Sequence, residues 1–114
     1  MSNFKAILDL FGLSIDDAAA YLNVSASDIV RWCDTNDSPP IEVWQSLVKL
    51  FDSIRFAAED AAKAADLDHL QAVDLNRISF AVPDQLSSEA GAVMKGPQRA
   101  ITAMAVASLA RVFV

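Results

Sequence analysis

Between residues 15 and 34 the chain reads IDDAAAYLNVSASDIVRWCD, and the spacing of small and apolar residues there suits very few backbones. Ala19 is small enough to let a second helix cross closely over the first, and Leu22 adds an apolar contact one turn later. Val24 can anchor a tight turn, and Ile29 and Trp32 recur one turn apart in the following segment. Together these are the packing requirements of a helix-turn-helix, two short helices held across a turn of three or four residues. The second helix of such a unit commonly enters the DNA major groove.

Start signals agree with the apolar spacing. Ser14 followed by Asp17 resembles a capping box with the shorter acid and opens a helix at about Ile15. Ser25 followed by Asp28 repeats the signal and opens the next helix at about Ala26. Upstream, Asn3 or Ser2 can cap a first helix, FKAILDLF, whose Phe4, Ile7, Leu8 and Phe11 form one apolar face and which Gly12 ends. Downstream, DTNDSPP is a loop by composition, and its prolines suit the entry to a new helix. The longest helical pattern then runs from Ile41 to about Ala65. Its first half is expected to close the core, whereas its alanine-rich second half projects from that core or packs on a further element.

Past residue 65 the pattern changes. Ile78, Phe80 and Val82 alternate before Pro83, which predicts a strand at about 76–82. No partner strand is visible, so this strand is expected to pair with its counterpart in a second copy. SSEAGAVM reads as a short helix or turn, KGP as a break, and a final helix is expected over about 98–112. Its stripe of Ile101, Met104, Ala105, Leu109 and Val112 is apolar enough to demand burial. The resulting expectation is a mainly α chain with a helix-turn-helix domain over 1–65. A dimerisation segment of short β-strand plus helix follows over 66–114, with Ile78, Phe80, Val82 and the helical stripe at the interface.

Composition bears on function chiefly through charge. Fifteen Asp and Glu oppose nine Lys and Arg, a net charge of −6. Residues 1–65 alone hold ten acidic and five basic side chains, so the half with the helix-turn-helix is the more acidic. A nucleic-acid binder normally presents a basic face, because neutralising phosphates releases counterions. One cysteine, Cys33, allows no internal disulfide and suits a reducing cytoplasm, and no secretion signal is visible at the start. The apolar end, AITAMAVASLARVFV, falls short of a membrane span and contains Arg111, so a buried or interface helix is expected.

The order LSIDDAAAYLNVS, DIVRW, a polar loop, PP and a long amphipathic helix resembles the Cro/phage-repressor-like (XRE) helix-turn-helix regulators. The resemblance covers residues 1–60. Over 75–112 the layout alone is similar to small dimeric autorepressors of the anti-CRISPR-associated type, from phages and mobile elements. The resemblance implies a lambda-repressor-like fold and a homodimer that binds an inverted-repeat operator. It also implies that the exposed start of the second helix of the unit faces the bases, which implicates Ser25, Ala26, Ser27, Val30 and Arg31. Many relatives carry glycine in the turn where this chain has Asn23, a residue that tolerates left-handed geometry. Relatives carry a glycine- and Arg/Lys-rich loop where this chain has Asp34, Asn36 and Asp37.

Arg31 is the only cation in that set. It can bond guanine O6 and N7, or it can be a surface arginine paired with Asp28 or Asp34. Ser25 can reach DNA or serve only as a helix cap. Lys5, Lys49 and Arg55 are candidates for phosphate contact. Trp32 and Trp44 fall on apolar faces and are expected in the core rather than on bases. Cys33 has no partner of the right type, His69 stands alone, and no glycine-rich phosphate loop occurs, so neither an enzyme nor a metal or cofactor is expected. The leading expectation is a dimeric, sequence-specific DNA-binding regulator that acts as a repressor. The alternatives are an acidic protein-interaction module that docks on a basic partner, or an antitoxin.

Overall fold

A computed structural model describes residues 2–65, 69–80 and 95–113. Five α-helices account for most of it: α1 (Asn3–Phe11), α2 (Ile15–Leu22), α3 (Ala26–Asp34), α4 (Ile41–Lys63) and α5 (Lys95–Ala110). Short 3-10 turns occupy Ala72–Asp74 and Arg111–Phe113.

Each early helix begins where a serine can accept a backbone N–H that the helix leaves unpaired. Ser2 Oγ accepts from Lys5 N at 3.1 Å, Ser14 Oγ from Asp17 N at 3.1 Å, and Ser25 Oγ from Asp28 N at 3.2 Å. Of the two caps possible for α1, Ser2 is the one used, and its hydroxyl also donates to the Trp32 carbonyl at 2.7 Å. One residue thus starts α1 and ties it to α3. The helix ends follow left-handed backbone geometry. Gly12 has φ 68°, and Asn23 has φ 56° and ψ 48°, with Val24 N closing on the Ala19 carbonyl at 3.1 Å. Asparagine fills the place of a glycine because its short polar side chain tolerates that conformation.

The α2–α3 pair packs through Ala18, Leu22, Ile29 and Trp32, all buried, with Ala19 and Val24 half-buried against the same core. Ala18 is the fully buried small residue, one position before the Ala19 read from the sequence. Phe4 sets its ring edge-to-face with Trp32 (5.6 Å) and Trp44 (6.0 Å), so both tryptophans belong to the apolar packing. Tyr21 donates its hydroxyl proton to the Ser46 carbonyl at 3.1 Å and joins α2 to α4.

The second half of α4 does not project into solvent. Ile54 and Ala58 are buried, and α5 packs chiefly along α4 with a further contact to α1. Two features of α5 differ from the sequence expectation. Lys95, Gly96 and Pro97 open the helix rather than break it. Proline is tolerated in a first turn, where its missing N–H has no intrahelical partner to lose. Gly96, meanwhile, lies directly on the backbone of Gly12. The second difference concerns the apolar stripe. Ile101, Ala105 and Leu109 are buried within the chain itself, so they cannot form the face offered to a second copy. Only Met104, half-buried, and Val112, exposed in the terminal 3-10 turn, keep surface for such a contact. The stripe has a simpler destination: α5 completes the core begun by α1 and α4.

The expected strand at about 76–82 is also absent among the described residues. Residues 75–77 form a turn, and 78–80 have no regular structure. Its donors are used locally: Arg77 N and Ile78 N both close on the Asp74 carbonyl, at 2.9 and 3.1 Å. Asp74 in turn accepts from Gln71 N through its carboxylate at 3.3 Å, and it pairs with Arg77 at 3.1 Å. A turn stabilised at both ends displaces a strand with no partner. Ile78 and Phe80 are half-buried, whereas Val82 and the SSEAGAVM stretch lie outside the described residues.

Candidate nucleic-acid interface

α3 has two faces because its apolar residues are so few. Ile29 and Trp32 turn inward, Cys33 is half-buried, and the remaining surface is left to Ser25, Ala26, Ser27, Val30 and Arg31. All five are exposed, and Val30 keeps 40% of its surface in solvent. The five residues implicated by the sequence therefore share one exposed face of α3, from its N-cap Ser25 to Arg31 in its last turn. The small side chains of Ala26 and Ser27 leave the backbone there open to close approach. Ser25 Oγ has its acceptor engaged by the Asp28 amide. Its hydroxyl proton and its second lone pair remain to be offered outward.

Arg31 is held on three sides. Its Nη2 lies 3.3 Å from Asp28 Oδ1, its Nε lies 3.9 Å from Asp37 Oδ2, and its guanidinium sits over the Trp32 ring at 5.8 Å. Asp28 was one of the two partners expected from the sequence. The other is Asp37 and not Asp34. The reason lies in how the loop leaves α3. Thr35 donates its hydroxyl proton to the Arg31 carbonyl at 2.6 Å and accepts from Asp37 N at 3.2 Å. This pair of hydrogen bonds through one threonine folds the loop back along α3 and brings Asp37 to the arginine, a consequence that linear spacing does not reveal. Arg31 and Asp37 are well exposed and Asp28 partly so, and such surface ion pairs are each worth about 0–1 kcal/mol. The guanidinium is oriented but not locked.

The remaining cations do not converge on this face. Lys5 is on α1, which packs against α3, but its ammonium pairs with Asp9 at 3.3 Å. Lys49 and Arg55 are on α4, whereas the helices that pack closely on α3 are α1 and α2. Lys49 is exposed with no ion pair among the described residues. Arg55 pairs with Asp52 at 3.8 Å and lies over the rings of Phe51 and Phe56, at 5.8 and 5.0 Å. The acidic balance of the first 65 residues is thus expressed locally: around Arg31 stand Asp28 and Asp37, with Asp34 exposed at the end of the helix.

Cys33 adjoins this region. Burial pushes its thiol up from the ordinary range; nearby Lys5 opposes the shift, and Asp34 and Asp9 reinforce it. The thiol form therefore dominates at neutral pH, and alkylation by iodoacetamide at pH 7.5 is expected to run several-fold slower than in the unfolded protein. Equal rates in the two states would show that the side chain is open to solvent. Among the described residues no group of three His, Cys, Asp or Glu side chains is placed to hold a metal ion, and His69 is exposed. Among the same residues no helix is long and apolar enough to cross a membrane. Comparison with protein-family models, with curated proteins and with solved structures finds no match for this chain.

Proposed function

We propose that this protein is a helix-turn-helix regulator that binds double-stranded DNA through α3, as a dimer on an inverted repeat and with repression as its mode. The observation that carries the reading is the open face of α3. Ile29 and Trp32 anchor the helix from below, while Ala26, Ser27, Val30 and Arg31 are exposed to solvent. In a major groove, Arg31 would exchange its two exposed carboxylates for guanine O6 and N7. A bidentate contact of that kind is worth about 1–3 kcal/mol of discrimination, enough to outweigh exposed pairs. Ala26 and Val30 would face thymine methyl groups, and Ser25 and Ser27 would offer hydroxyls to base or phosphate. Two copies would set their α3 helices roughly 34 Å apart. In each copy, Met104 and Val112 are the residues of the original stripe still able to meet the other.

Fluorescence anisotropy against the DNA upstream of the gene, at two salt concentrations, tests this reading. Specific binding is expected, and Arg31→Ala should weaken it about tenfold while leaving non-specific binding much less affected. Absence of specific binding at low salt would overturn the DNA reading. Light scattering after gel filtration tests the dimer, which a clean monomer at micromolar concentration would refute.

A second reading has its own observation: the charge around Arg31. With Asp28 and Asp37 on the guanidinium, the face repels phosphate and suits a basic protein surface. A stoichiometric complex with a basic protein, formed without DNA and weakened by Asp37→Asn, would favour an interaction module or antitoxin over a DNA reader.

A further inference from the structure

Lys95 and Arg99 stand one turn apart on α5, both exposed, and they line one shallow depression with Gln98 and Thr102. They differ from most cations earlier in the chain. Lys5, Arg31, Arg55 and Arg77 each pair with a carboxylate three or four positions away. Lys95 and Arg99 have no ion pair among the described residues, and the depression has no acid in its lining. The cause is in the sequence. Residues 95–114 hold Lys95, Arg99 and Arg111 and no acid, although the whole chain carries a net charge of −6. Thr102 Oγ donates to the Gln98 carbonyl at 3.1 Å, which leaves the Gln98 amide group open.

Packing sets these two cations at a particular corner of the fold. Gly96, next to Lys95, lies on the backbone of Gly12, where α1 ends. Ser14, two residues further on, caps α2. The start of α5 therefore adjoins the start of α2. In a helix-turn-helix bound to DNA, the second helix enters the major groove while the first crosses the phosphate backbone. Asp16 and Asp17 occupy the first turn of α2, and without cations nearby they would repel that backbone.

We propose that Lys95 and Arg99 bind DNA phosphates where α2 crosses the backbone. Arg99 offers a planar fork of N–H donors to two phosphate oxygens, and Lys95 offers a compact charge with three donors. Such contacts fix the register of α3 in the groove without reading sequence. The inference rests on the DNA reading and adds to it a basic contact that the face of α3 lacks. The first 65 residues can then remain acidic, because the neutralising charge comes from the other end of the chain.

The test is fluorescence anisotropy on two duplexes, the DNA upstream of the gene and a shuffled sequence of equal length, across a salt series. Lys95→Gln/Arg99→Gln should weaken binding to both alike. It should also reduce the slope of log affinity against log salt by about 1.8, since each phosphate contact contributes about 0.9. Over a rise from about 50 to about 200 mM salt, the wild-type protein should lose about twelvefold more affinity than this variant. Lys95→Arg/Arg99→Lys keeps both charges and should keep the wild-type slope. Arg77→Gln removes a cation beside Ala65, just past the end of α4, and should keep it too. Circular dichroism checks that the helices of each variant are intact. An unchanged slope in the folded double-glutamine variant, an equal effect of Arg77→Gln, or a loss confined to the upstream duplex would overturn the proposal and leave the α3 reading in place. Wild-type protein that binds neither duplex would overturn both.

Discussion

Gly96→Ala is expected to lower the midpoint of thermal unfolding by about 10 °C, even though alanine is the better helix former by about 1 kcal/mol. A Cβ on Gly96 would overlap the carbonyl oxygen of Gly12 and would stand 2.8 Å from that of Phe11. The obstruction is reciprocal, since a Cβ on Gly12 would stand 2.8 Å from Gly96 Cα. Every atom involved is backbone, so no side-chain rotation relieves it. Either α5 withdraws from α1 or the end of α1 deforms, at about 1–3 kcal/mol. Each kilocalorie moves the midpoint of a domain near this size by roughly 4–8 °C. Differential scanning calorimetry of the two proteins decides it, and a midpoint that stays or rises would mean that α5 does not rest on Gly12.

Ile101→Ala is expected to cost about 2–5 kcal/mol of unfolding free energy. Ile101 is fully buried among residues of α5 and the rest of the core, so the truncation removes transfer energy and leaves a cavity that rigid helices fill poorly. Urea titration should show a lower midpoint with little change in slope. The decisive readout is concentration dependence. Loss at a core position is the same at any protein concentration, whereas loss at an interface between copies varies with it. A small, concentration-dependent change would return Ile101 to the role of a dimer contact.

These two positions also mark where linear reading reached its limit. The α2 and α3 helices and the turn between them were legible because their determinants are local. Ser14 and Ser25 cap helices through bonds three residues away, Asn23 meets a backbone demand within its own turn, and Ile29 and Trp32 recur at the helical period. The exposed residues of α3 followed from the same period, since burying Ile29 and Trp32 leaves Ala26, Ser27, Val30 and Arg31 outside. At the other end of the chain the same logic misled. Alternation at Ile78 and Phe80 resembles a strand, yet the Asp74 carbonyl captures the amides that pairing would need. KGP resembles a breaker, yet its glycine is a packing residue and its proline sits in a first turn. Of the apolar stripe, Ile101, Ala105 and Leu109 are buried within the chain, whereas Met104 and Val112 keep exposed surface.

What the sequence determined alone, then, is the set of helices that begin and end on nearby polar groups, and which side of each is apolar. Caps and periodicity act over a few residues, so linear order contains them. Which apolar face meets which was decided only in three dimensions. α5 lies on α4 and α1 because two glycines, 84 positions apart in the chain, allow their backbones to touch. Asp37 reaches Arg31 because Thr35 turns the loop back along α3. Both outcomes depend on the excluded volume and hydrogen bonds of groups that become neighbours only once the chain has folded.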